Sequence, residues 1–313
     1  MAKAIHYTEF GGPEVLTLAE IDAPTPGAGE VAVRVEAAGV NPIDAKLRSG
    51  LRASDPITSP RRVGSDGAGH ITAVGAGVDG FRVGDPVAFS GTTGAYATDV
   101  VARAADVVLR PAGVTAAQGA ALGIPAGTAY QSLRSLGVRA DDVLLVHGGS
   151  GAVGQAAIQF AALAGARVIA TTSDARADRV RGLGADPVAY GDGLADRVRA
   201  LVPDGPTVVL DAVGTDEALA TSLELLADRS RIATIVQGAR AAQLGIRAFS
   251  GGSPEPLTPQ QLAWRAEAVP VALALLAAGR FSVELGEELP LADAARAHEL
   301  LAGGARGKIV LVP

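Results

Sequence analysis

Val143-Leu-Leu-Val-His-Gly-Gly-Ser-Gly-Ala-Val-Gly154 is the stretch on which the reading of this chain turns. Val143 to Val146 is a short apolar run of the kind a fully buried parallel strand shows. It breaks into Gly149-x-Gly151-x-x-Gly154, after which Ala157, Ile158, Ala161, Ala162 and Leu163 recur at helical spacing up to Gly165. Arg167 to Thr172 then reads as a second apolar strand. Strand, glycine turn, helix and strand in this order form the unit that binds a dinucleotide. One glycine permits the tight reversal, the next lets backbone approach a pyrophosphate, and the third lets helix and strand pack closely. The helix N-terminus then offers unpaired N–H groups and a partial positive charge. With 40 glycines in the chain the hexapeptide alone carries little, and its flanking elements carry the assignment. Gly149, Ser150, Gly151, Ala152, Val153 and Gly154 are therefore the expected phosphate-binding residues.

At 313 residues the chain suits two domains with sizeable cores. Apolar residues make up 48% and the net charge is −6, which predicts a globular protein with no bias toward polyanions and no nucleic-acid partner. The absence of cysteine excludes disulfides, thiolate nucleophiles and cysteine-based zinc sites. The N-terminal Met-Ala-Lys-Ala-Ile-His-Tyr has no apolar core of a signal peptide, and Val269 to Ala278 contains Pro270 and is too short to span a bilayer. The expected location is the cytoplasm, away from membranes.

Residues 1–118 read as all-β: Val15 to Leu18, Glu30 to Glu36, His70 to Val74 and Asp99 to Ala102 are β-rich runs separated by Gly/Pro/Asp turns. Their spacing predicts a compact barrel or sandwich, with one short helix from Ile43 to Gly50. From Thr115 helices and strands alternate. Helices are expected at 128–136, 175–183, 194–201 and up to 226, and strands at 187–190, 207–213 and 231–236. This pattern predicts an α/β doubly wound parallel sheet over residues 119–258. Residues 250–260 are turn-rich and read as a flexible connection. A helix over 259–278, a strand near Phe281 to Val283, a helix over 291–301 and a last strand, 308–312, follow. These late strands need burial, so residues 259–313 are assigned to the first domain together with 1–118.

The whole chain resembles the zinc-free quinone oxidoreductase branch of the medium-chain dehydrogenase/reductase superfamily. The resemblance rests on Ala38-Gly-Val-Asn-Pro-Ile-Asp44 with Arg48-Ser-Gly50, Gly64-Ser-Asp-Gly-Ala-Gly69 and Phe81-Arg-Val-Gly-Asp-Pro-Val87. It rests also on Gly148 to Gly154, Leu183-Gly-Ala-Asp186, Asp211-Ala-Val-Gly214 and Gly307-Lys-Ile-Val310. It implies a GroES-like β-barrel catalytic domain, a Rossmann domain, an active site in the cleft between them, and a homodimer. In zinc-dependent relatives the metal is held by Cys, His and Cys, often near a Glu. Those positions resemble Asn41, Ser65, Asp66 and Leu122 here, and a single carboxylate cannot make a zinc site. No zinc is expected. The histidines, His6, His70, His147 and His298, are scattered and read as structural or surface residues.

NAD-preferring units carry an Asp or Glu at the end of the second strand for the ribose 2′-hydroxyl. Here that position reads Thr172 or Ser173, with Arg176 and Arg179 following. A hydroxyl beside a guanidinium suits a 2′-phosphate, so NADPH is expected over NADH, with Ser173 and Arg176 as the binding pair. Asp174, slid by one or two residues, would favour NAD, and a solvated helix face is the plainer reading of the arginines. By resemblance Tyr190 and the turn carrying Val213 and Gly214 line the adenosine and nicotinamide sides. Lys308 either reaches the phosphates or is a surface lysine.

Hydride transfer needs an electrophile held against C4 of the nicotinamide and little else. Without zinc, cysteine or a Tyr/Lys couple, an alkoxide has no stabiliser, so alcohol oxidation is disfavoured. A quinone or α,β-unsaturated carbonyl spreads its charge onto an oxygen that a hydrogen-bond donor or water can hold. Asn41, Asp44, Lys46 and Thr128 are the candidate catalytic residues: Asn41 as donor to the carbonyl or holder of the ribose, Asp44 as helix cap or substrate residue, Lys46 as proton donor or surface lysine. Relatives often carry Tyr shortly after the Asn-Pro-x-Asp motif, where this chain has Ala45 and Lys46. Enoyl reduction of a polyketide-type intermediate is a second enzymatic reading. A non-catalytic NADPH-binding sensor module is a reading of another class.

Overall fold

The computed structural model describes residues 1–52, 54–249 and 255–313, and the chain divides into two compact units. The first comprises Met1–Ile124 and Val269–Pro313, the second Pro125–Ala268.

The first unit opens with β1 (Ala2–Tyr7), β2 (Thr17–Ile21) and β3 (Glu30–Gly39), followed by α1 (Pro42–Arg48). Next come β4 (Arg61–Arg62), β5 (Asp66–Val74), β6 (Pro86–Phe89), β7 (Asp99–Arg103), β8 (Val107–Leu109) and α2 (Ala116–Ala120). α3 (Gly123–Leu136) leads into the second unit.

In the second unit β9 (Val143–His147) enters the glycine turn and α4 (Ala152–Leu163) leaves it. β10 (Arg167–Thr172), α5 (Ala177–Gly182), β11 (Asp186–Ala189), α6 (Leu194–Leu201), β12 (Val208–Asp211), α7 (Asp216–Leu225) and β13 (Ile232–Thr234) continue the alternation. α8 (Gly238–Leu244), β14 (Arg247–Ala248) and α9 (Pro259–Ala277) complete it. The six strands form one parallel sheet in the order β11-β10-β9-β12-β13-β14. Strand order reverses between β9 and β12, the switch point at which such sheets bind ligands beyond the strands' carboxyl ends. Leu144, Leu145, Val146, Ile169, Val209 and Leu210 are fully buried, as helices on both faces require.

The chain then rejoins the first unit with β15 (Leu285–Pro290), α10 (Ala294–Ala302) and β16 (Lys308–Val312). Its main sheet runs β15-β16-β3-β5-β6-β8, with β7 also on β3; β2-β1-β4 form a smaller sheet. β3 organises this unit. Val31, Val33 and Val35 are β-branched and buried, as a strand packed on a core favours. β5 pairs along its whole length, while β7 covers its first half and β16 its end. The core gathers Val33, Val35, Ile71, Phe89, Tyr96, Val100, Ile309 and Leu311.

The α/β class and the doubly wound sheet agree with the expectation, but several details differ. The seams fall at Ile124/Pro125 and Ala268/Val269 rather than 118/119 and 258/259, inside α3 and α9. The late strand is Leu285–Pro290, not 281–283, because pairing with β16 rather than local composition defines it. α8 and β14 were not anticipated. Of the stretch expected to be flexible, residues 250–254 lie outside the described residues.

Gly69 lies opposite Val35, where the β3–β5 register shifts, and a Cβ there would stand 1.9 Å from the Arg34 carbonyl oxygen. Gly69→Ala is expected to cost about 1–3 kcal/mol, read by urea denaturation, because backbone rather than a flexible side chain must yield.

Candidate active site

The glycine turn belongs to the second unit. Gly148 has φ +80°, a left-handed conformation suited to glycine, and its amide donates to Thr171 Oγ1 at 3.0 Å. Gly149 N–H donates to the Thr171 carbonyl, tying the turn to β10. A Cβ on Gly154 would stand 2.2 Å from the Gly148 carbonyl oxygen, and one on Gly149 2.6 Å from the Ala170 Cβ. The helix therefore packs onto the turn only with glycine at 154, and the turn lies against β10 only with glycine at 149. Gly151 caps α4 through its backbone and offers no side-chain acceptor, so the first amides of the helix, Ala152 and Val153, remain for a ligand. The charge complement is an anion.

Two side chains brace this loop. The Ser150 carbonyl accepts Gln155 Nε2 at 2.8 Å and an Arg176 NH at 3.3 Å. Arg176 thus reaches from the end of β10 to the glycine turn. Arg179 instead donates to Gln155 Oε1 at 3.0 Å. Thr172 is buried with its hydroxyl lacking a protein partner, Ser173 is half-buried, and Asp174 is exposed. Tyr190 follows β11 with 61% of its surface exposed, and Val213 is 44% exposed.

The Val213–Gly214 turn is held from below. Buried Asp211 accepts the amides of Val213 (3.0 Å) and Gly214 (2.8 Å) on one oxygen and the Thr234 hydroxyl on the other. Gln237 Nε2 donates to the Gly214 carbonyl. His147, paired with Asp211 across the sheet, is buried with Nε2 unpartnered. Burial pushes its pKa down to about 4 against the pull of Asp211.

The first unit holds a second polar cluster, built where three strands end together. Asn41 follows β3, Lys308 starts β16 on one side, and Asp66 starts β5 on the other. Lys308 Nζ donates to the Val40 carbonyl and to Asn41 Oδ1. Asn41 Nδ2 donates to Asp66 Oδ2 (2.9 Å) and to the Gly39 carbonyl (3.2 Å). This fixes the amide's orientation, since only oxygen can receive the ammonium and only nitrogen can face the carboxylate. Asp66 Oδ2 also accepts Ile124 N–H at 2.7 Å, at the start of α3. A Cβ on Gly123 would come 2.3 Å from the Asp66 carboxylate, so that approach requires glycine.

Asp44 closes the other half of the cluster. Its Oδ2 accepts the Asn41 amide (2.9 Å), capping α1, and the Tyr96 hydroxyl (3.0 Å). Tyr96 OH lies 3.2 Å from His298 Nε2. With the hydroxyl donating to Asp44, the imidazole nitrogen donates to the hydroxyl, and Nδ1 stays without a partner. Burial raises Asp44 to about 7, opposed by the Asn41 N–H, and pushes Tyr96 well above its ordinary value. Burial lowers His298 to about 4, assisted by the Arg48 guanidinium, and lowers Lys308 to about 8 against the pull of Asp66 and Asp44.

The structure brings Asn41, Asp44 and Lys308 together in the first unit and puts Thr128 on α3 in the second, buried. Two expectations need correcting. Asn41 has no N–H left to donate to a substrate carbonyl, because both hydrogens of Nδ2 are taken inside the unit. Lys308 is 5% exposed; it is not a surface lysine, and its ammonium is committed to Val40 and Asn41 rather than offered to a phosphate. Lys46 is half-buried, and its ammonium has no partner among the described residues. Tyr96 and His298 were missed, since nothing local in Gly-Ala-Tyr-Ala or Ala-His-Glu marks a buried network. The positions that resemble metal-ligand positions in zinc-dependent relatives do not fit zinc here. Leu122 is buried and apolar, Ser65 donates toward Asp66, and the Asn41 oxygen faces an ammonium. Among the described residues no group of three His, Cys, Asp or Glu is disposed to hold a metal ion.

Comparison with known proteins agrees with this geometry. Residues 27–115 match the family model of the alcohol dehydrogenase GroES-like domain, and residues 152–251 that of the zinc-binding dehydrogenase. A quinone oxidoreductase of Pseudomonas aeruginosa is 35% identical, with 100% of both chains covered. A mycobacterial protein solved with NADPH matches at TM-score 0.84 and 32% identity over 100% of both chains. Escherichia coli quinone oxidoreductase, also solved with NADPH, matches at TM-score 0.84 and 29% identity over 99% of this chain and 100% of that one. The chain belongs to the quinone oxidoreductase branch of the medium-chain dehydrogenase/reductase superfamily, and it is an enzyme of that type.

The burial of Asp44 has a measurable sign. A carboxyl whose folded pKa is raised stabilises the fold below its unfolded value of 3.8, and that contribution is lost as pH rises through about 7. Asp44→Asn is neutral throughout. Its stability relative to the unsubstituted protein should therefore rise between about pH 4 and pH 7 and level off above, as measured by urea denaturation at stepped pH. A pH-independent difference would remove Asp44 as the titrating group.

Proposed function

We propose that this quinone-oxidoreductase-type enzyme reduces a quinone or an α,β-unsaturated carbonyl without a metal, with NADPH as the reductant. The observation that carries the cofactor assignment is Arg176. Its guanidinium is anchored to the Ser150 carbonyl beside the open amides of α4, and the hydroxyls of Thr172 and Ser173 stand where an NAD-binding unit carries an acid. A guanidinium there suits a 2′-phosphate, which it can bind in fork geometry. Asp174 is exposed and starts the following turn, so it competes little for the ribose. Relatives solved with NADPH support the same reading.

Bound on this cradle, NADPH would supply the hydride. Gly149 to Gly154 would hold the pyrophosphate by backbone amides, Tyr190 would flank the adenosine, and Val213 with Gly214, fixed by Asp211, would flank the nicotinamide. Reduction of a conjugated carbonyl then needs one proton. Lys46 is the ammonium of α1 without a partner among the described residues, and it is assigned as the proton donor for the carbon of an enone. A quinone that has taken the hydride draws that one proton from water. Asn41 and Asp44 act by fixing the start of α1 rather than by touching substrate.

Oxidation of NADPH by 1,2-naphthoquinone and by a panel of enones, followed at the nicotinamide absorbance, should show turnover with at least one class. Tight NADPH binding with no turnover across the panel would indicate a binding module instead. Arg176→Ala should weaken NADPH binding about 10- to 100-fold, as loss of a hydrogen bond to a charged group does, and weaken NADH binding, which loses only the brace on the turn, several-fold less. In the same assay Lys46→Met should slow enones about 100-fold and quinones little.

A further inference from the structure

The geometry points to Lys308 as a positioning residue of the reaction: its ammonium is the fixed cation that clamps Asn41 at the end of β3 and so sets where α1 begins. The inference rests on the reading of α1 as the helix that presents Lys46.

Four observations carry it. The ammonium is enclosed, and its acceptors are both neutral oxygens, the Val40 carbonyl and Asn41 Oδ1. The charges that balance it, Asp66 and Asp44, are reached through Asn41, which donates to Asp66 by its side chain and to Asp44 by its backbone. Lys308 is thus the charged donor to the Asn41 side-chain oxygen, while the Asn41 N–H groups go to Asp66, Gly39 and Asp44 and the residue also receives the Asp44 N–H that opens α1. The site is also shaped for the lysine stem. A Cβ on Gly39 would stand 3.3 Å from Lys308 Cε and 2.2 Å from the Ala120 carbonyl oxygen, so the strand passes there only as glycine.

The consequence follows from the arrangement of strands. Val40 N–H donates to the Ile309 carbonyl, and Gly39 pairs with Val310, so β16 is in fixed register with the residues that precede α1. Without the ammonium, Asn41 Oδ1 would lose its charged donor and keep only the Asp44 N–H of the capping box, and the Asp44 and Asp66 carboxyls would lose the nearby cation that offsets them. Both conditions are costly in a dry interior, and the amide is then free to turn over. The cap of α1 moves with it, because Asp44 holds the Asn41 backbone. Displacements of this order at a positioning group lower the rate of chemistry far more than they weaken binding.

Lys308→Met and Lys308→Ala test this, each compared at equal folded concentration. The expected result is a kcat at least about tenfold lower, with the NADPH dissociation constant, read by nicotinamide fluorescence, within about twofold of the unsubstituted protein. n-Propylammonium replaces the atoms removed in Lys308→Ala. It should raise both the Tm and kcat of that variant saturably, while sodium and tetramethylammonium ions at equal concentration should not. If the variants fold poorly, refolding yield in propylammonium against sodium chloride gives the same readout. Variants with lowered Tm but unchanged kcat per folded molecule would overturn the inference, as would equal rescue by all three cations. If the unsubstituted protein turns over no quinone or enone, the reductase reading fails. The selective effect of propylammonium on Tm then still decides whether the ammonium clamps Asn41.

Discussion

A buried ammonium group whose hydrogen-bond partners among the described residues are neutral oxygens is the constraint on which the first unit depends. Moving such a charge out of water costs several kcal/mol or more unless it is paired or neutralised. Here the compensation is indirect. Lys308 touches Val40 and Asn41, and Asn41 passes the interaction to Asp66 and Asp44. The arrangement is possible because β16, β3 and β5 are neighbours in one sheet and the residues of the cluster lie at the same end. Two helices then begin from the cluster: α1 is capped by Asp44, and α3 starts with the Ile124 amide on Asp66. A local change in the cluster is thereby a change in two helix starts.

The second unit solves the opposite problem. It leaves the first amides of α4 without a side-chain cap. Gly154 lets helix and turn close together, Gly149 lets the turn lie against β10, and the capping residue contributes no side chain that would occupy the amides. Gln155 and Arg176 meet on one carbonyl, that of Ser150, which stiffens the loop without covering its donors. The turn after β12 is fixed in the same manner by Asp211, entirely from the protein side.

What could be read from the sequence was local. The glycine spacing, the apolar runs around it and the Asn-Pro-x-Asp motif each lie within a few residues, and each corresponds to an element or a site residue in the structure. What could not be read was made by pairing across the chain. Tyr96 and His298 meet from segments more than two hundred residues apart, and neither sits in a pattern that distinguishes a network from a core. β15, Leu-Gly-Glu-Glu-Leu-Pro, has the composition of a loop and becomes a strand because β16 offers it a partner. Lys308 was noticed as a cation, yet its destination could not be inferred, since a lysine at the start of a strand is ordinarily at the surface. Of the two duties the sequence suggests for Asn41, donation to a carbonyl fails because both Nδ2 hydrogens are occupied, and donor counting requires knowing every acceptor around the amide.

The first unit is made from two pieces of chain separated by the whole of the second. On a ribosome the parallel sheet can therefore mature while the other unit is still missing two strands of its main sheet. Until β15 and β16 emerge, the end of β3 that pairs with β16 has an open edge, and Asp44 and Asp66 lie near one another without the cation that offsets them. Open edges and uncompensated charge both disfavour premature closure. The assembly order is thus written into the topology: the second unit first, the first unit last, with arrival of the late lysine as the event that seals it.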